Sequence, residues 1–210
     1  LVATNSVWIF HHRAPPTWDE DFYLRATERF YQVLQEGRFD VFLHEFSRAL
    51  GGAKAPLVTL LPLPFYWLFG SSYDAAQVAN LLLVIIFNFV FYQFIRELGQ
   101  PKTVAVLAVI ITGTMPLAYG ISRLVMADYA LMLAVTAWLR CLVKSQYFTN
   151  TRYNIWLGVI GGLGLLLKTL FPLYIIVTAI VALLRRLERS DDWQQLVRDV
   201  GLMVILAYSI

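Results

Sequence analysis

Long apolar stretches separated by short polar segments dominate the chain after residue 74. The longest, residues 75–95, contains no charged residue and has the length of a membrane-spanning helix. Two further stretches, at about residues 103–119 and 124–143, are also long enough for a helix to cross a bilayer. The pattern therefore predicts three membrane crossings between residues 75 and 143.

Two shorter apolar segments, residues 155–167 and 170–184, lie on either side of Lys168. Helices of this length rise about 20 Å, too little to cross roughly 30 Å of hydrocarbon as straight helices. The segments fit a hairpin of two short helices that meet at Lys168, where irregular backbone borders a cavity. One long helix with Lys168 buried is the alternative.

The first third of the chain is more polar, and its apolar positions recur at helical spacing. Residues 21–36 are predicted to form an amphipathic helix at the membrane interface. Its apolar side would carry Phe22, Ala26, Phe30, Val33 and Leu34. Residues 57–69 are apolar, but they are short and carry Pro62 and Pro64, so we expect them to lie along the membrane surface.

These elements predict an all-α fold, a polytopic bundle of transmembrane helices in three parts. Residues 1–10 would end a first transmembrane helix, residues 11–73 would form an external loop with interfacial helices, and residues 74–210 would form the bundle. The chain starts without methionine, and its last apolar run, residues 201–210, is shorter than a full span. We therefore expect the sequence to be part of a longer protein.

Composition agrees with a multi-pass integral membrane protein, since 59% of the residues are apolar and only 15% are charged. The net charge of +3 comes from basic residues gathered in short loops, so it indicates topology rather than a nucleic-acid partner. The single cysteine, Cys141, excludes an internal disulfide bond.

The positive-inside rule orients the chain when loops 96–102, 140–152 and 185–198 face the cytoplasm. Residues 11–54 then face the opposite side, together with the polar residues that remain in or beside the apolar zone. These are Asp19, Glu20, Lys54, Arg123, Asp128 and Lys168. Charges beside a bilayer are costly and are usually functional, and acids next to cations suit an anionic lipid head group.

The order of several short motifs resembles glycosyltransferase family 39, which includes protein mannosyltransferases that use dolichyl-phosphate-mannose and transferases that add aminoarabinose to lipid A. The motifs are Trp18-Asp19-Glu20, Lys54-Ala55-Pro56-Leu57, the segment 122–128, and Gly158, Gly162, Gly164 and Lys168 before a proline. The likeness covers about residues 18–184. The sequence differs from the family at two places. The family's Lys-Pro-Pro signature reads Lys-Ala-Pro here, and Phe22 stands where the aminoarabinose transferases tend to carry an arginine.

This resemblance implies the architecture of the C-type glycosyltransferases, which take a sugar from a polyprenyl-phosphate donor on the non-cytoplasmic face. It implies transfer with inversion to a lipid, glycan or protein acceptor. Asp19 and Glu20 match the acidic pair that supplies the catalytic base, with Asp19 as the base and Glu20 shaping the site. Lys54 would bind the donor phosphate, and Arg123, Asp128 and Lys168 would complete the substrate site.

Other interpretations remain open at this stage. Intramembrane charges also occur in secondary transporters, although no internal repeat is visible, and a subunit can keep a fold without its activity. Asp19 and Glu20 could hold a divalent metal ion, yet two carboxylates are an incomplete ligand shell, so no cofactor is assigned. We expect a bacterial cytoplasmic membrane in preference to the endoplasmic reticulum.

Overall fold

A computed structural model describes residues 2–11, 15–51, 56–188 and 193–209. Of these residues 83% are helical and none forms a strand, which confirms the predicted all-α fold. The helices are α1 (Val2–His11), α2 (Trp18–Gln35), α3 (Phe39–Leu50), α4 (Leu57–Leu60), α5 (Leu63–Phe69), α6 (Tyr73–Glu97), α7 (Lys102–Thr114), α8 (Pro116–Ile121), α9 (Ala127–Lys144), α10 (Thr151–Leu167), α11 (Phe171–Leu187) and α12 (Trp193–Ser209).

The chain divides into two compact units. The first unit comprises Leu1–Asn88 and Ile110–Ala130, and the second comprises Phe89–Val109 and Leu131–Ile210. In the first unit, a buried core gathers around the start of α6, with α2 and α5 packed against it. Its members are Tyr66, Ala75, Ala76 and Val125, flanked by Leu24, Tyr31 and Phe65.

Helix α2 confirms the predicted helix and buries Phe30 and Val33 of its predicted apolar side. The buried side chains on this helix include Tyr23, Thr27, Phe30 and Val33. Phe22 is exposed to the surroundings of the protein, so its predicted place on the membrane-facing side stays a prediction. The Thr27 hydroxyl lies 2.8 Å from the carbonyl oxygen of Thr59, a contact that draws this side of α2 toward α4.

Helix α3 was not predicted, although its apolar residues follow a helical period. Phe39, Leu43, Phe46 and Leu50 recur every three or four residues, which places them on one side of the helix. An ion pair joins α3 to α2, in which Nε of Arg29 donates to a carboxylate oxygen of Glu45 over 2.8 Å. Residues 15–51 thus contain two helices.

Among the described residues, one helix is both long and apolar enough to cross a membrane, α6, which is two residues longer at each end than predicted. The second predicted crossing is divided, because α7 ends at Thr114 and Pro116 opens the separate helix α8. A proline lacks the backbone N–H that an uninterrupted helix would need. The third predicted crossing corresponds to α9.

In the second unit, the backbone breaks at Lys168, which takes an extended conformation between α10 and α11. The alternative of one long helix is therefore wrong. Both helices have 17 residues, at the short end of the range for a membrane span, so their length no longer argues for a hairpin that turns back within the bilayer. Helix α12 packs so closely on α10 that a Cβ at Gly158 would lie 2.7 Å from the carbonyl oxygen of Met203.

Candidate active site

Glu20 accepts hydrogen bonds at both of its carboxylate oxygens and is only 1% exposed. It closes a capping box at the start of α2, where Oε2 accepts from the backbone N–H of Thr17 over 3.0 Å. Its Oε1 accepts from the hydroxyl of Tyr73 over 3.1 Å and from the backbone N–H of Val125 over 2.9 Å. One carboxylate therefore ties α2 to α6 and to the segment before α9.

Two buried amides on α6 hold this segment, residues 122–126, from the other side. Nδ2 of Asn80 donates to the carbonyl oxygens of Ser122 and Leu124 over 2.7 and 3.0 Å. Nε2 of Gln77 donates to the carbonyl oxygen of Arg123 over 2.6 Å. Buried backbone carbonyls need such partners, so the amides fix the path of an otherwise irregular stretch.

Sequence reasoning did not use Gln77 and Asn80, because it treated residues 75–95 as one apolar run. The available signal was their polarity. An amide within a predicted span must find a partner, and positions 73, 77 and 80 lie on one side of a helix. The hydroxyl of Tyr73 accepts from Gln77 over 2.8 Å, which joins the amides to Glu20.

The segment presents Arg123, a half-buried cation whose described contacts are with neutral groups. Its Nε donates to Oδ1 of Asn5 over 3.1 Å. Its guanidinium carbon lies 4.5 Å from the ring centroid of Trp8 and 4.0 Å from that of Tyr119, whose hydroxyl it also contacts. Cation–π contacts hold a guanidinium in place without cancelling its charge.

Arg123 also lines a cavity of about 440 Å³ whose other lining residues come from α1 and α8. The lining residues are Ala3, Thr4, Val7, Trp8, His11, Tyr119 and Arg123. A cation at an apolar wall can bind an anionic group that is attached to an apolar chain.

Asp19 and Asp128 act on the same tyrosine, Tyr23, which is 7% exposed. Burial raises the pKa of the Tyr23 hydroxyl, and the negative charges of Asp128 and then Asp19 raise it further. Asp19 is exposed on the first turn of α2, and Asp128 is half-buried on the first turn of α9. Two carboxylates thus lie close enough to one phenol to influence it.

The remaining predicted residues are less constrained. Lys54 lies outside the described residues. Lys168 is half-buried at the end of α10 in the second unit, so its predicted convergence with Arg123 and Asp128 stays a prediction. Across the described part of the chain, no group of three or more His, Cys, Asp or Glu residues could hold a metal ion.

The described residues form an all-helical protein whose first unit contains both the acids Asp19, Glu20 and Asp128 and the cation Arg123. Residues 53–210, three quarters of the chain, match the family model described as dolichyl-phosphate-mannose-protein mannosyltransferase, and the chain belongs to that family. No curated protein and no solved structure matches the chain. Membership implies a membrane glycosyltransferase of the mannosyltransferase type. Arg123, Asp128 and Lys168 lie within the match, whereas Asp19 and Glu20 precede it.

Proposed function

We propose that the protein transfers a sugar from a polyprenyl-phosphate donor to a lipid, glycan or protein acceptor on the non-cytoplasmic side of the membrane. The observation that carries this proposal is the hydrogen bond from the Val125 N–H to Glu20. It joins the helix turn that bears Asp19 to the segment of residues 122–126, which bears Arg123 and leads into α9, where Asp128 lies on the first turn. Family membership supports the sugar-transfer chemistry.

In the proposed reaction, Asp19 is the general base. Its carboxylate takes the proton of an acceptor hydroxyl while that oxygen forms a bond to the anomeric carbon of the sugar. The bond between the anomeric carbon and the phosphate oxygen breaks, and its electron pair leaves with the phosphate. A single displacement of this kind inverts the configuration. Exposure favours Asp19 over Glu20, because the oxygens of Glu20 are already occupied.

The leaving polyprenyl phosphate is an anion, so it needs a positive charge rather than a proton donor. We propose that Arg123 stabilises it, with the apolar cavity wall beside the first isoprene units. Lys54 and Lys168 are proposed to contribute further charge. Glu20 is a positioning residue, and Asp128 binds the acceptor or the sugar hydroxyls.

We further propose the polytopic C-type glycosyltransferase architecture in a bacterial cytoplasmic membrane. The basic loops of residues 96–102, 140–152 and 185–198 support the orientation in which Asp19 faces away from the cytoplasm.

The test of this function is an assay of the full-length protein in lipid with a panel of polyprenyl-phosphate sugars and nucleotide sugars, with and without a chelator. We expect transfer from at least one polyprenyl-phosphate sugar and none from nucleotide sugars. Transfer from nucleotide sugars alone would contradict the proposed donor class. The chelator arm reports whether a divalent ion takes part.

Replacing Arg123 by Gln is expected to lower kcat/KM for the donor about 10- to 100-fold, since a hydrogen bond to a charged group contributes about 1.5–3 kcal/mol. Initial rates at varied donor and fixed acceptor concentrations would measure it. The matched control is Arg25→Gln, which removes an exposed cation that is paired with Asp21. An equal loss of kcat/KM for the donor and for the acceptor would indicate a structural role of Arg123 instead.

A further inference from the structure

The second unit holds a charged cluster that the proposed sugar transfer does not use. Glu97 at the end of α6 accepts from Nε and Nη2 of Arg140 over 3.0 and 2.9 Å, and from Nζ of Lys144 over 3.1 Å. All three side chains are half-buried, with exposed fractions of 18%, 27% and 33% for Glu97, Arg140 and Lys144. Two cations therefore share one carboxylate, and the cluster keeps one net positive charge.

The cluster retains unused hydrogen-bond donors. Nη1 of Arg140 takes no part in the bonds to Glu97, and an ammonium has three N–H groups. Lys144 also lies 5.3 Å from the ring centroid of Tyr153 on α10. An anion that approached Arg140 and Lys144 would therefore find both charge and donors.

A cavity of about 240 Å³ opens beside these cations. Its polar lining comes from Arg140, Lys144 and Tyr153, and its apolar lining includes Val90, Ala137 and Ile160. Ala137 on α9 and Ile160 on α10 each lie seven positions from a polar lining residue, Lys144 and Tyr153 respectively. Val90 on α6 lies seven positions before Glu97, which binds the two cations. Seven residues rise about 10 Å, so the cavity is polar at the helix ends and apolar two turns further in.

We propose that this cavity binds an anionic phospholipid, with the phosphate on Arg140 and Lys144 and an acyl chain along the apolar wall. Tyr153 and Trp156, which also lines the cavity, are residue types enriched where lipid head groups meet hydrocarbon. Basic pockets between helices on the cytoplasmic side are a known arrangement for such lipids. The apolar wall favours a lipid over a free phosphate. This site goes beyond the proposed reaction and shares no residue with it.

The test uses full-length protein in phosphatidylcholine nanodiscs that receive increasing amounts of lipid with brominated acyl chains, which quench tryptophan fluorescence on contact. Comparison with a Trp156→Phe variant isolates the signal of Trp156. We expect brominated phosphatidylglycerol to quench this signal at about fivefold lower content than brominated phosphatidylcholine, as expected for one basic residue near an anionic lipid. Equal quenching by the two lipids would overturn the proposal.

Lys144→Gln tests the cation directly, because it leaves the two bonds between Arg140 and Glu97 in place. We expect it to abolish the preference for phosphatidylglycerol. Arg152→Gln is the matched control, since it removes the same charge at an exposed position on the first turn of α10, outside the cavity lining. An equal effect of both variants would show a general surface potential and no site. If glycerol 3-phosphate restored the fluorescence as effectively as phosphatidylglycerol without bromine, the phosphate alone would account for binding, and the lipid assignment would be wrong.

Discussion

Replacing Asp19 by Asn is expected to lower kcat about 10²- to 10⁴-fold, the usual contribution of a general base, while membrane insertion and unfolding stay unchanged. The amide keeps the size of the side chain but cannot take a proton from the acceptor hydroxyl. Asp19 is exposed on the first turn of α2, so the substitution changes a side chain at the protein surface, where effects on stability are usually small. Single-turnover transfer rates in lipid would measure the effect.

Asp21→Asn is the matched control for this experiment. Asp21 also lies in the first turn of α2, so its replacement removes the same favourable interaction with the helix dipole, but its carboxylate faces Arg25 at 2.7 Å. We expect at most a small loss of rate. Unchanged transfer by Asp19→Asn would remove Asp19 as the base, and a large loss in Asp128→Asn alone would assign that role to Asp128.

Asp19 and Glu20 are neighbours in the sequence but differ in the structure, since Asp19 is exposed and Glu20 is buried and hydrogen-bonded. Sequence reasoning did not distinguish them. Both were predicted as one catalytic pair, and α2 was predicted to start at residue 21. Thr17 and Glu20 have the spacing of a capping box, which does predict a start at Trp18. That the same carboxylate also meets Val125 depends on packing between segments 105 residues apart, which local spacing does not encode.

The predictions that succeeded here rest on local features of the sequence. Hydrophobic runs located α6 and α9, and Lys168 located the break before α11, because apolar length and a charge within it are local properties. The break before Pro116 was equally local and was missed. The inward face of α2 was not local, since the contact of Thr27 with Thr59 required the fold.

Arg123 illustrates the same limit within the site. Its position in an apolar zone predicted a functional cation. Its contacts with Trp8 and Asn5 join residues more than a hundred positions apart, so only the structure relates α1 to the proposed phosphate site. These contacts fix the guanidinium of Arg123 in position. None of the described groups that contact it is a carboxylate, so its positive charge can attract an anion.

Replacing Glu20 by Gln is expected to lower the free energy of unfolding by about 1–3 kcal/mol, the cost of one buried donor without a partner. The amide oxygen can face either Thr17 or Val125, and the amide nitrogen then opposes a fixed backbone N–H on the other side. A hydroxyl can rotate away, but a backbone N–H cannot. Loss of helical circular dichroism during titration with a denaturing detergent would measure the change.

Glu36→Gln is the control for Glu20→Gln, because it makes the same substitution at the other end of α2 at an exposed position whose ion pair with Arg38 is weak. We expect its stability to stay within about 0.5 kcal/mol of the unaltered protein. Measurements of activity and stability together distinguish the two acids. We expect Glu20→Gln to lower both activity and stability, and Asp19→Asn to lower activity only. Suppose that Glu20→Gln lost all transfer but kept the free energy of unfolding of the unaltered protein. Glu20 would then take part in the reaction itself, and the positioning role inferred from its four hydrogen bonds would be wrong.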